Sequence, residues 1–317
     1  MYPLSRRFIE EDIEDGSAQH PFLIKTAEDF RLFRNSIAAG TTFAGIWHRL
    51  VNDIDVQGIT YNVISSTASY QGHFDGNFKI ISNFSILNTT QYNAPVFGII
   101  NGSAGGNVKR LGLFNVNISS NSYFGAYSMG NAYTNIEQCF VTGIISTNND
   151  GGGFVGSGWG ANLLIRNCYA NIKVTGPGTS KGGIAGIQAS STGVIENCLA
   201  IGSVESTNNT YAGGIVGQGL NGAIKNCVAA QSSVSATQAY RINGYGRSEI
   251  NNYSLNSMLV KGVTVISSNQ NSAHGADATI QQLYSKAFYR DTMGWDMENI
   301  WEIDEGNGFP RLRGFNY

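Results

Sequence analysis

IRNCYA, at residues 165–170, returns along the chain as IEQCFV at 136–141, IENCLA at 195–200 and IKNCVA at 224–229. Extending that alignment in both directions gives seven segments. They are Ile81–Phe84, Val108–Leu111, Ile136–Cys139, Ile165–Cys168, Ile195–Cys198, Ile224–Cys227 and Ile250–Tyr253, with last positions 27, 28, 29, 30, 29 and 26 residues apart. A second signature, a glycine pair two residues before a further glycine, precedes three of them: GGFVG at 152–156, GGIAG at 182–186 and GGIVG at 213–217. A period of this length with short β-branched runs cut by Gly, Asn and Ser predicts one solenoid coil per repeat. Helical repeats need amphipathic stretches of ten or more residues, and residues 79–252 contain none. The expected fold is all-β: a right-handed, single-stranded parallel β-helix of about seven rungs, with short capping helices at both ends.

Stacking turns each repeat position into a column. The last position gives Phe84, Leu111, Cys139, Cys168, Cys198, Cys227 and Tyr253. Its ends carry no sulfur, so the four cysteines read as small hydrophobes in an inward file. Zinc is disfavoured, because no Cys-x-x-Cys pair exists and no histidine falls between 79 and 252. Disulfides between adjacent rungs stay open at a Cα separation of about 4.8 Å, although parallel side-chain directions make them awkward. The column before it, Asn83, Arg110, Gln138, Asn167, Asn197, Asn226 and Asn252, reads as an amide ladder at a bend. The one before that runs Ser82, Lys109, Glu137, Arg166, Glu196, Lys225, Asn251, and its five central members alternate in sign. Alternation favours pairing in register, since a slip of one rung brings like charges together.

Composition narrows the function. Charged residues are 13% of the chain and net charge is −2, so no basic footprint suggests nucleic acid. No run of about 20 apolar residues could form a spanning helix. The opening MYPLSRRFIEEDIEDG has no apolar stretch after its arginines, so no signal peptide is read in this chain. GGFVG is followed by neither a helix nor the lysine of a phosphate loop, and its glycines read as corners.

The stretches GGFVG…IRNCYANIKVTG, GGIAG…IENCLAIGSV and GGIVG…IKNCVAAQSSV resemble the GLUG-motif repeats of bacterial and phage surface proteins. FDGNFKIISNFSI at 74–86, NIWEIDEGNGFPRLRGF at 299–315, and the lead-in PFLIKTAEDFRLF with LVNDIDVQG match the same class, so the resemblance covers about residues 21–315. It implies a β-helix domain of adhesins, large surface proteins or accessory regions of IgA-specific peptidases. The H-E-x-x-H motif of those peptidases is absent, and the family motif carries fold residues without a catalytic set.

Four regions follow: an arm at 1–20, a cap helix and first strand at 21–58, repeats at 59–265, and a C-terminal cap at 266–317. Thr26-Ala27-Glu28-Asp29 approximates a capping box, with Phe30, Phe33 and Ile37 on one helical face. Ile280, Leu283, Tyr284, Ala287 and Phe288 predict a second helix after Asp277, and Trp295, Trp301 and the GNGFP turn a closing hairpin. The arm reads as an extension that docks on other subunits of an assembly.

For catalysis, residues 79–252 offer only Glu137, Asp150, Glu196, Glu205 and Glu249 as carboxylates. Arg166 stands between Glu137 and Glu196, which makes both ion-pair partners. Asp53, Asp55, Asp75 and His73 are the remaining acidic group, and turn capping accounts for them. Aromatic tips suit glycan or protein contact, which singles out Trp159, Tyr123, Tyr127, Tyr211 and Tyr240. The reading is a non-catalytic β-helix on a cell surface or virion, recognising a glycan or protein receptor or decorating an assembly, with no metal or cofactor. The alternative is a polysaccharide-active lyase or hydrolase.

Overall fold

A computed structural model describes residues 14–62, 64, 68–88, 95–102, 106–121, 123–130, 133–158, 162–208, 210–247 and 249–316. The chain winds as a parallel β-solenoid of about seven turns. One side stacks Phe22–Ile24, Trp47–Leu50, the start of His73–Ser82, the start of Asn107–Ser120, Asn135–Glu137, Leu164–Arg166, Val194–Glu196 and Ala223–Lys225, each parallel to the next. Past a bend, a second side stacks Phe140–Thr147, Tyr169–Thr175, Leu199–Glu205 and Val228–Ser235. The glycine-pair strands close the coil, with Gly152 beside Gly182 and Gly182 beside Gly213. A Cβ on Gly182 would lie 2.0 Å from the Ala185 carbonyl oxygen, so the tight corner of the coil excludes a side chain there.

Ile136, Ile165, Ile195 and Ile224 form one inward file, and Cys139, Cys168, Cys198 and Cys227 another; all eight are buried. The cysteines are free thiols. Burial pushes the Cys139 thiol up to about 12, so the file is apolar packing, not nucleophile.

The bend explains the amides. Arg110, Gln138, Asn167, Asn197 and Asn226 all hold φ between 52 and 54°, the left-handed region that Asn tolerates best among side-chain-bearing residues. Two end copies correct the sequence register. At the top, Lys225 bridges Ile250 and Val228 pairs with Tyr253, so Asn251, with φ 50°, makes the bend. Asn252 instead tops the cysteine file. It is buried, accepts from the Cys227 N–H at 2.8 Å and donates to the Ile224 carbonyl at 2.9 Å. At the bottom, Ile81 pairs with Leu113 and Ser82 with Phe114, so Asn83 lies at a different bend, beside Asn115. The level below Val108-Lys109 is Phe74-Asp75, and the extra loop Gly76–Phe78 displaced the repeat.

That correction lengthens the charge column. Arg49 pairs with Asp75 and Asp75 with Lys109, giving the order Arg49, Asp75, Lys109, Glu137, Arg166, Glu196, Lys225. Signs alternate through all seven.

The helix Ala27–Ala38 covers the first coil. Its capping box closes: Thr26 Oγ1 accepts the Asp29 N–H at 3.2 Å and Asp29 Oδ2 accepts the Thr26 N–H at 2.9 Å. Phe30, Phe33, Arg34 and Ile37 face inward. Residues 14–20, placed in the arm by sequence, fold onto the first strand: Gly16 O accepts from Trp47 N at 2.8 Å, and the Glu14 carboxylate takes the Leu23 N–H at 2.9 Å. That carboxylate satisfies a donor at the open edge of the sheet. Residues 1–13 lie outside the described residues.

At the other end, Ala276–Ala278 pairs with Tyr253–Leu255. Buried Arg241 pins the closing loop by donating to the carbonyls of Val265, His274 and Gly275 and by pairing with Asp277. The expected second helix is one turn, Ile280–Leu283, capped by Thr279, followed by a wide turn at Phe288–Thr292. The hairpin forms as expected, with Trp301 opposite Leu312. The segment after Thr279 then lies along the flank of the rod. Phe288 meets Tyr253, Trp295 donates to the Asn226 carbonyl at 2.9 Å, and Phe315 packs on both Phe140 and Phe78. This builds a second core outside the coil.

Candidate functional site

Beside the bend at Asn83 and Asn115 runs an open trough of about 560 Å³. Its floor comes from three successive levels: the turn after Ile54–Asp55, the strand Ser85–Asn88, and the outer positions of Asn107–Ser120. Gln57, Tyr61, Asn83, Leu87, Asn115 and Asn117 give it its chemistry, and among the described residues no charged side chain lines it. Asn83 and Asn115 sit at φ 62 and 55°, which turns their amides along the ridge. Asn83 Nδ2 donates to Asp55 Oδ1 at 2.9 Å, and Asn115 Nδ2 donates to Asn83 Oδ1 at 2.7 Å. The Asn83 side-chain donation, with the Gln57 N–H, holds the Asp55 carboxyl below its ordinary pKa. The ladder is therefore fixed before any ligand arrives.

The Tyr61 ring is held from behind by Phe84, Phe30 and the Arg34 guanidinium, 4.9 Å from its centroid. Burial raises the Tyr61 phenol well above its usual range and lowers Arg34 to about 10. Leu87 stands 66% exposed on the opposite side. Amide donors and acceptors beside an apolar edge can bind a polar, uncharged ligand.

The aromatics expected from sequence do not converge here. Tyr123 is exposed and Tyr211 half-buried against Tyr245, three levels apart in one column. Tyr240 packs on His274 in a separate hollow of about 490 Å³ at the far end. Tyr127 is a correction: it is fully buried, stacks between Phe97 and Phe154, and sets its hydroxyl 2.6 and 2.7 Å from the carbonyls of Leu111 and Phe140, either of which can take its proton. The signal was present, since GAYS at 125–128 continues the glycine signature one level down and puts Tyr127 beneath Phe154. Trp159 lies outside the described residues.

The acidic group does structural work. Asp75, almost fully buried, binds Arg110 through both oxygens and caps the Asn77 N–H. Asp53 accepts the Ile80 N–H at 2.8 Å. His73 stacks on Trp47 at 4.3 Å, and burial lowers its pKa. Asn167, Asn197 and Asn226 sit at the bend before the cysteines, while Asn83, at the other bend, lines the trough. Gln57, Tyr61, Asn115 and Asn117 were not marked by sequence. Their one local signal is Asn115-x-Asn117, two amides on the same exposed face of a strand.

A solved Bacteroides ovatus structure, described as a "putative immunoglobulin A1 protease", matches this fold. The TM-score is 0.74 at 25% identity, over 94% of each chain. The chains share the solenoid from end to end. No family model matches this sequence, and no curated protein does.

Proposed function

We propose that this chain is a surface- or virion-borne recognition module of the GLUG-repeat type, and that its amide trough takes uncharged carbohydrate. The observation that carries the reading is the trough lining: fixed amides and a tyrosine, without one charged side chain among the described residues. Uncharged donors and acceptors in a pre-set array match a polyol, whereas phosphate or nucleic acid calls for cations. A rigid solenoid presents such an array without ordering a loop, which lowers the entropic cost of binding.

The test is retention on an immobilised glycan panel, comparing the wild type with Asn117→Ala and Leu87→Ala, both exposed positions. Neutral glycans are retained by the wild type and lost by the variants. Equal retention by all three proteins removes the trough from the reading, and release of shortened products moves it to a polysaccharide-active enzyme. The description of the Bacteroides ovatus neighbour favours a second reading, action on immunoglobulin A1. New fragments after incubation of that antibody with this chain would establish it.

A further inference from the structure

On the other side of the same ridge lies a smaller hollow of about 380 Å³. Three consecutive pairs straddle the ridge, and each puts one residue on either side: Asp55 and Val56, Ser82 and Asn83, Phe114 and Asn115. The hollow and the trough are thus two sides of one hydrogen-bonded amide ladder. Phe114 offers a large ring, 49% exposed, where an outward strand position usually carries a polar residue. Asp53 and Asp55 flank it. In each, Oδ1 is occupied, by the Ile80 N–H in Asp53 and by the Gln57 N–H and the Asn83 amide in Asp55. In each, Oδ2 has no hydrogen bond among the described residues. The carboxylates are therefore oriented and still have acceptor capacity.

We propose that this hollow is a second subsite of the same carbohydrate site: a pyranose lays its apolar face on Phe114 while Asp53 and Asp55 accept from its hydroxyls. The inference rests on the trough reading and sharpens it in two ways. The ligand is an oligosaccharide long enough to cross the ridge. It also carries no acid on the unit at Phe114, because two carboxylates repel a uronate there.

Probes of two and four units from the cello, manno, xylo and malto series, together with tetragalacturonate, test this by titration calorimetry. For the wild type, affinity rises about tenfold from two to four units in at least one neutral series, and tetragalacturonate binds at least about tenfold more weakly. Phe114→Ala removes the gain with length but leaves the two-unit affinity unchanged. Asp53→Asn, which keeps the acceptor for Ile80, narrows the gap against the galacturonate. If Phe114→Ala retains the full gain with length, the hollow is no subsite and the trough reading stands alone. If the wild type binds no probe of either length, both readings fall.

Discussion

Reversing one charge in the column of seven tests the register of the whole rod. Glu196 lies between Arg166 and Lys225, with carboxylate oxygens 3.8 Å from the former and 2.8 Å from the latter. Its side chain is 16% exposed and theirs are 39 and 37%, so screening is partial. Each opposed pair across adjacent strands is worth roughly 0.2–1 kcal/mol, and like charges cost a similar amount. Glu196→Gln deletes two attractions, a loss of about 1 kcal/mol. Glu196→Lys turns them into two repulsions, a loss of about 2 kcal/mol. Adding Lys225→Glu to Glu196→Lys restores one attraction and recovers about half of that loss. Urea unfolding reads these changes as shifts in midpoint at constant slope. At 1 M salt the screening length falls to about 3 Å, so the penalty of Glu196→Lys shrinks by half or more. A Glu196→Lys protein within about 0.3 kcal/mol of wild type, or a penalty that salt leaves untouched, would refute the ladder as a register device.

Three further outcomes follow from buried groups. The four cysteines, all buried and with thiol pKa values raised by desolvation, stay silent to a thiol reagent in the native protein and all react in denaturant. Lys181 sits inside the coil, and burial lowers its pKa to about 8 from an ordinary 10.5. Between those values the unfolded chain binds more protons, so stability rises with pH there; relative to Lys181→Met, the wild type gains about 2 kcal/mol from pH 7.5 to 10 in parallel unfolding curves. Arg241→Met strips the closing loop of its three carbonyl bonds and the Asp277 pair, which costs about 2–3 kcal/mol and opens residues 265–277 to protease first.

The regular part of the rod was legible because each repeat position meets the same neighbours on every turn. Ile165 and Cys168 are inward for the reasons Ile195 and Cys198 are, and a one-residue error in any middle copy would have put a charge in the core. The ends lacked that check. From Asp75 to Lys109 the step is 34 residues and from Asn226 to Asn251 it is 25, so a fixed period placed Asn83 and Asn252 in the wrong columns. Residue type did not expose the error, because an asparagine stood at both the assumed and the actual place. Tyr127 was misread for a related reason: a tyrosine satisfies its hydroxyl equally in water or against two carbonyls, and only the column decides. The trough was hidden for a different reason, being assembled from three levels whose residues share no motif beyond Asn115-x-Asn117.

The flank core changes what the solenoid can do. In a bare solenoid each level touches only its neighbours, and stability is a sum of local terms. Here the residue after each cysteine, Phe140, Tyr169, Leu199 and Val228, points outward into the C-terminal segment. Sequence alone would expect water there, and an apolar file facing water would be an aggregation edge. The segment that covers it meets Tyr253 through Phe288 and Phe78 through Phe315, so it ties the level of Tyr253 to the third and makes distant levels lose contacts together. It also fixes which faces stay open, since the side carrying Phe140 to Val228 is occupied. Its final described residue, Asn316, lines the hollow beside Phe114. A ligand seated in that hollow would therefore touch both the first levels and the end of the strap, and would stabilise their union by its own binding energy.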